Sequence, residues 1–405
     1  MTPNDDSHGL LIHSQEPTLE KPMTRPRFSI PMRLSLAAVA LPAAALLGMQ
    51  PALADNADRG YVQHNLVSDI PGLAPITNLH LVNPWGMSAG PSSPLWVSDN
   101  GTGLTTLYDG NGHPFPPGPG GPLVVTIAAP PSAGSGAVSA PTGQVFNTFD
   151  NTTSDFVITK NGKSGPAFFL FATEDGTISG WNPNVDPTNS VIAVDRSNAV
   201  DTTGDVGAVY KSLSLVTTPA GKFLYASNFR FGTIEVFDTH FNLVDVLRDP
   251  GVSAGFAPFG VNNVEGTLFV TFAKQNAAKH DDVAGNGNGL VDALAPGTNV
   301  LRRFVTRGKL DSPWAVTLAP SAFGFFGGDI LVGNFGDGRI NVFDHSTGRF
   351  LGRLTSGDRD PIVIPGLWGL RFGNGALGAG TNTLFFTAGI NNEADGLFGQ
   401  IVPKS

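Results

Sequence analysis

The sequence predicts an all-β chain folded as a six-bladed β-propeller, and three observations predict it. A short apolar run, a polar turn and a Gly-led alternating run recur six times along the 405 residues, and a repeat of this length is the mark of a radial or stacked architecture. The 51 glycines and 32 prolines demand frequent turns without reaching the level of a low-complexity chain. Long Glu/Lys/Leu/Ala stretches with a 3.6-residue period are missing from the body of the chain, so helix has little support.

The best copies of the repeat lie at 95–109 (LWVSDNGTG, LTTLYD), 168–182 (FFLFATEDG, TISGWN), 223–238 (FLYASNFRFG, TIEVFD) and 329–344 (DILVGNFGDG, RINVFD). Two are degenerate: TLFVTFAKQN at 267–276 meets its Gly289 run only after an insertion, and TLFFTAGINNEADG at 383–396 leads into LFGQIV. The leading glycines are Gly103, Gly176, Gly232, Gly289, Gly338 and Gly396, and their uneven spacing is what variable loops on a common unit produce. Upstream of each pair stands a third strand: Pro84-Trp-Gly-Met, Pro141-Thr-Gly-Gln, Pro258-Phe-Gly-Val, Pro313-Trp-Ala-Val, Leu367-Trp-Gly-Leu, and Lys211-Ser-Leu-Ser as the weakest copy. Small residues there suit the innermost strand, where neighbouring sheets converge. Downstream stands a fourth, at 123–128, 191–196, 243–248, 300–305 and 350–355, with the β-branched content of strands.

The sixth copy has no sequence left for a fourth strand, whereas Tyr61–Ser68 (YVQHNLVS) is strand-like and belongs to no repeat. That segment is expected to supply the outer strand of the last blade and so remove the open edge of the ring. A two-sheet sandwich is the alternative, disfavoured because six similar units give no reason for two unlike sheets.

The first 54 residues differ in kind. Arg25, Arg27 and Arg33 precede an apolar run from Leu34 to Gly48 and then Ala52-Leu53-Ala54, the three parts of a secretory signal with cleavage after Ala54. The run is too short and too Pro-interrupted for a stable membrane span. Residues 55–405 are then one domain, periplasmic or extracellular, and expected to be a monomer. The net charge of −9 falls on that part, because four acids balance four bases up to Ala54. An acidic chain without a basic cluster excludes nucleic acid as a partner. The absence of cysteine excludes disulfides, thiol catalysis and Cys-ligated metal.

In an up-and-down blade the turn between the second and third strands opens on the same face as the entry into the next inner strand. The turns carry Asp99-Asn100, Glu174-Asp175, Asn228, Asp281-Asp282, Asn334 with Asp337, and Asn391-Asn392-Glu393. The entries carry Asn83, Trp85, Phe259, Trp314 and Trp368. A rim of acids, amides and aromatic rings can hold a cation, a glycan or a peptide. Asp, Asn and Gly are also what tight turns require, and the aromatics can equally be wedges between blades. The insertion Lys274–Gly289 sets Lys279, His280, Asp281 and Asp282 before a Gly/Asn stretch, which suits a cation loop, a lid over the rim or a solvated loop. Read as an EF-hand from Asp282 it lacks the bidentate acid, having Ala293 at the twelfth place. Gly251-Val-Ser-Ala-Gly255 matches the serine-hydrolase elbow string but falls between blades, and Asn161-Gly-Lys-Ser164 is a hairpin turn rather than a phosphate loop.

Several strings carry a resemblance: NLVSDIPG (65–72), NPWG (83–86), VSDNGTG (97–103), KHDDVAGNGNGLVD (279–292), GNFGDGRINVFD (333–344) and GLWGLRFGNG (366–375). From about Tyr61 to Val402 the chain resembles a family of uncharacterised exported bacterial proteins, some with a C-terminal sorting tail of the PEP-CTERM type. This chain shows no such tail, so anchoring through one is not expected. More distantly the blades look like NHL-repeat and gluconolactonase-type propellers, in which a divalent ion sits at the mouth of the central channel. Two functions follow as expectations. The first is binding of a small molecule, glycan or peptide at the rim through Asn83, Trp85, Lys279, His280, Asp281, Trp314 and Trp368. The second is a hydrolase of the lactonase or esterase type that depends on Ca²⁺ or another divalent ion, with Asp99, Glu174, Asn228, Asp282, Asn334 and Glu393 as ligands, one per blade.

Overall fold

The computed structural model describes residues 60–148 and 155–404, so the expected leader and its cleavage site at Ala54 lie outside the described residues. Those residues form six antiparallel sheets in chain order, one per repeat. Blade 1 is Pro84–Ser88, Leu95–Asp99, Leu104–Tyr108 and Val124–Thr126; blade 2 is Pro141–Phe146, Phe169–Thr173, Thr177–Trp181 and Val191–Asp195. Blade 3 is Tyr210–Thr218, Gly221–Asn228, Thr233–Phe237 and Leu243–Leu247; blade 4 is Phe256–Val264, Thr267–Lys274, Gly289–Leu294 and Leu301–Thr306. Blade 5 is Pro313–Leu318, Ile330–Asn334, Ile340–Phe343 and Phe350–Arg353. Blade 6 is Leu367–Phe372, Leu384–Ile390 and Asp395–Pro403, and its fourth strand is Tyr61–Ser68 from the start of the described chain. A short parallel strand, Ile76–Thr77, is added outside it. Asn161 and Gly162, both with positive φ, turn a separate hairpin, Val157–Lys160 with Lys163–Pro166, inserted in blade 2. Among the described residues no helix is long and apolar enough to cross a membrane.

The core lies between the sheets. Trp96 of blade 1 stacks on Phe169 of blade 2 at 4.1 Å between centroids, and Tyr108 of blade 1 stacks on Phe398 of blade 6 at 5.3 Å. At the glycines of the inner strands there is no room for a side chain, as the small residues there imply. A Cβ on Gly260 would stand 2.0 Å from the Trp314 carbonyl oxygen, and one on Gly369 2.6 Å from that of Trp85.

One irregularity is common to all six inner strands. Each pairs in register with its neighbour except for a bulge at its first turn: between Pro84 and Met87, Pro141 and Gln144, Tyr210 and Ser212, Pro258 and Val261, Pro313 and Ala315, and Leu367 and Leu370. A bulge leaves one residue unpaired and re-aims its side chain. The first residues of these bulges are Trp85, Thr142, Lys211, Phe259, Trp314 and Trp368; all but Thr142, whose hydroxyl donates to the Tyr210 carbonyl at 2.8 Å, meet at one end of the channel.

Candidate functional site

Five of these six residues are apolar or a threonine, and the sixth is a lysine. Trp85 and Trp368 stack at 3.5 Å, Phe335 lies on Trp368 at 4.0 Å, and Trp314 stands edge-on to both indoles. Phe259 and Phe229 extend the cluster. Trp85, Trp314 and Trp368 are 2%, 5% and 1% exposed, so the three expected rim aromatics form a buried plug and offer no open ring face. The Trp314 Nε1–H donates to the Lys211 carbonyl and the Trp368 Nε1–H to Asn83 Oδ1, while Trp85 Nε1 is buried without a partner among the described residues.

Lys211, itself 2% exposed, sits over this plug, with Nζ 5.2 Å from the Trp85 ring centre and 5.8 Å from that of Phe229. Its ammonium donates to Glu174 Oε1 and lies 3.5 Å from Asp281 Oδ1. Burial works against the charged form, but Glu174 first, then Asp281 and Asp282, outweigh it and hold the ammonium above its usual range.

From this lysine a line of polar contacts runs round the mouth. Glu174 Oε2 accepts from Asn100 Nδ2 at 2.9 Å, Asn100 Oδ1 accepts from Asn83 Nδ2 at 3.2 Å, and Asn83 Nδ2 also reaches Glu393 Oε1 at 3.3 Å. On the other side His280 Nδ1 lies 2.7 Å from Asp281 Oδ1. Blades 1, 2, 3, 4 and 6 thus each contribute to one network. Asp282 stands beside the Ser312 hydroxyl at the entry to blade 5, and its Oδ2 is buried without a partner. Asn83, Lys279, Ser312 and Glu393 all have φ between +45° and +67°, a conformation L side chains seldom adopt and one that collects at functional sites.

The charges do not balance. Glu174, Asp281, Asp282 and Glu393 face one ammonium. The His280 contact, against the opposing effect of burial, and Lys211 hold Asp281 down to about 2. Burial pushes Asp282 up against the pull of Lys211. Burial, then the Glu174 charge, push Glu393 up to about 7. A carboxyl raised from 4.5 to about 7 stabilises the fold fully below pH 4.5, and the contribution is lost as pH rises through 7. Glu393→Gln keeps an oxygen for Asn83 and cannot ionise. It is expected to melt with the wild type at pH 4.5 and to be more stable by about 1–3 kcal/mol at pH 8, read from melting curves across that range.

Of the candidate residues, the structure brings together Asn83, Trp85, Glu174, His280, Asp281, Trp314, Trp368 and Glu393, with Asp282 beside Ser312. Lys279 turns away and pairs with Asp205 on the loop before blade 3, which pins the insertion in place. Asp99, Asn228 and Asn334 stay inside or between blades. Asp99 is fully buried and accepts from Thr106 Oγ1 at 2.8 Å. Asn228 donates to Glu235 at 3.1 Å, and Asn334 donates to Asp337 and the Lys309 carbonyl. The one-ligand-per-blade metal set therefore does not assemble. Glu174, His280 and Asp281 do offer ligand atoms within 4.8 Å of one another. Lys211 is the residue that sequence reasoning missed, although the alignment of inner strands held the signal: it is the one charged residue at that repeat position.

No family model matches the chain. "Uncharacterized protein R648" of Acanthamoeba polyphaga mimivirus is 32% identical over 344 residues, covering 83% of this chain and 78% of that protein. "Uncharacterized protein L690" of the same virus is 32% identical over 345 residues, covering 83% and 84%. These curated relatives are viral, not the exported bacterial proteins that the resemblance implied. Among solved structures, a luciferin-regenerating enzyme is similar with a TM-score of 0.47 at 13% identity, covering 85% of this chain and 95% of that one. The soluble aldose sugar dehydrogenase of Escherichia coli has a TM-score of 0.47 at 11% identity, covering 85% and 100%. With 32% of the aligned residues identical over 83% of this chain and most of each relative, the chain belongs to the family of these two mimivirus proteins.

Proposed function

We propose that the mouth binds a small molecule through a cationic amine, held among Glu174, Asp281, Asp282 and Glu393. The observation that carries this reading is the excess of carboxylates over the single Lys211 ammonium in a partly desolvated rim. Such a rim gains from an added positive charge, and a buried aromatic floor lowers the dielectric beneath it. A glycan is less well supported, because sugar recognition draws on open aromatic faces and the three tryptophans are buried. An exported location accords with this reading and is supported by the signal-like segment ending at Ala54; N-terminal sequencing of the mature protein tests it.

The second reading, a divalent-ion hydrolase, is supported by the grouping of Glu174, His280 and Asp281. Against it, the Lys211 ammonium already engages two of those three groups, and a divalent ion bound to the same oxygens would meet its charge. Melting curves with putrescine, with Ca²⁺, with Zn²⁺ and with a chelator separate the two. Saturating diamine is expected to raise stability by about 2–3 kcal/mol at a hundredfold excess over Kd, and added salt to weaken the effect. A melting point that putrescine leaves unmoved, but a chelator lowers and Zn²⁺ or Ca²⁺ restores, would replace the first reading by the second.

A further inference from the structure

The channel has a second end, and its chemistry is the reverse of the first. Three residues beyond each mouth position, about 10 Å along an extended strand, the six inner strands carry Ser88, Val145, Ser214, Asn262, Thr317 and Arg371. All six line one cavity of about 660 Å³. A neck of about 70 Å³, lined in part by Gly86, Gly143, Ser212 and Gly369, separates it from the aromatic plug. The ring of six holds one cation and no acid.

Arg371 has no carboxylate partner among the described residues. Its Nη2 donates to the Ala89 carbonyl at 3.2 Å, and its Nε is buried with nothing to donate to. Burial lowers the guanidinium pKa, and among the described residues no neighbouring charge opposes that shift. Arg371 is partly buried, and an arginine half withdrawn from water without a counter-charge is a cost to the fold that binding a planar oxyanion would offset. Among the described residues the acid lining this cavity is Glu265, which lies at the exposed turn between the first two strands of blade 4, out at the lip. A volume of about 660 Å³ is within the range of small-molecule sites.

We propose that this cup binds a small molecule through a carboxylate or phosphate group, with the Arg371 guanidinium as its counter-charge and the hydroxyls and amide of the ring as its remaining hydrogen-bond partners. The site is independent of the acidic mouth and stands whether or not an amine binds there. Isothermal titration of the whole protein with inorganic phosphate and, separately, with citrate tests it. Saturable binding of at least one anion with a Kd on the order of 1 mM or tighter is expected; the two arms show whether phosphate, carboxylate or both are accepted. Arg371→Gln is expected to weaken that binding at least tenfold with the melting point preserved. Should that variant fail to fold, Arg371→Lys keeps the charge without the planar fork and is expected to weaken it at least threefold. Failure of both anions to bind saturably, or an affinity unchanged in the variant that folds, would overturn the proposal.

Discussion

Lys211→Met is expected to destabilise the protein by about 3–5 kcal/mol at pH 8, the usual cost of removing one partner of a buried ion pair. Methionine fits the volume and keeps the contact with Trp85 and Phe229, so the cost is that of the charge and not of a cavity. Glu174 and Asp281 lose the ammonium they share, and Asp282 and Glu393, already raised by burial, lose the charge that offsets it. In a domain of this size the loss corresponds to a fall in Tm of roughly 4–7 °C.

The dependence on pH identifies the cause. In the variant Asp282 and Glu393, already raised by burial, lose the opposing pull of Lys211 and rise further, so their folded forms hold more protons than their unfolded forms through the acid range. Stability therefore falls as pH rises through that range, and the gap to the wild type is widest above pH 7 and narrows toward pH 4. The wild type has an opposing contribution from Asp281, held down to about 2: that part is present above pH 3.8 and is lost as pH falls toward 2. Adding Glu174→Gln to Lys211→Met removes an uncompensated charge, so the double variant is expected to be more stable than the sum of the two single changes predicts. Urea or thermal unfolding at pH 4, 6 and 8 reads all three. Variants that melt within about 2 °C of the wild type at pH 8 would show that the ammonium is not what balances the mouth.

The sequence made the blades legible because a blade is written twice, once as alternation and once as turn chemistry. The Gly-led runs, the inner strands and the closing strand Tyr61–Ser68 all stand where the repeat placed them. The site was legible only in part, and the failures have a common physical reason. Asp99, Asn228 and Asn334 end the second strands of their blades, and at a strand end the pleat decides which way a side chain turns. Asp99 shares a side with Val97 and Leu95, facing the neighbouring blade, and Thr106 of the next strand in its own blade meets its carboxyl. Glu174 and Glu393 lie one or more residues beyond the strand, in turns that hand them to the mouth. Spacing could not tell these cases apart. Lys211 was misjudged for a different reason. Lys211-Ser-Leu-Ser departs from the Pro-aromatic-Gly pattern and reads as the weakest repeat, yet the departure is the feature: the strand begins one residue earlier, at Tyr210, which puts a charge at a position where the bulge aims side chains inward. Arg371 was equally hidden, since nothing in its own strand marks it as lacking a partner.

Removing residues 55–70 is expected to abolish the soluble monomer. Tyr61–Ser68 pairs along the full outer edge of the last strand, from Tyr61 opposite Pro403 to Ser68 opposite Leu397. It buries Tyr61, Leu66 and Val67, and the Tyr61 hydroxyl donates to the Phe323 carbonyl at 3.1 Å and accepts from the Phe326 amide at 3.2 Å. Three such side chains are worth about 5–9 kcal/mol by area, against a total stability of roughly 5–15 kcal/mol for a domain. Deletion would also bare the edge of the Asp395–Pro403 strand, a template for pairing with other chains. What the ring needs is the pairing and not the position of the strand in the sequence. The Lys404 amide already donates to the Gly60 carbonyl at 2.8 Å, so the end of one strand lies beside the start of the other. A permuted chain that begins at residue 71 and carries 60–70 behind Lys404 through a short Asn-Gly turn closes the same blade as a hairpin. The truncated protein is expected in the insoluble fraction and the permuted one as a soluble monomer melting within a few degrees of the wild type, by size-exclusion chromatography and circular dichroism. A soluble truncated monomer with an unchanged melting curve would mean that the sixth blade is stable with three strands and that closure contributes nothing to the fold.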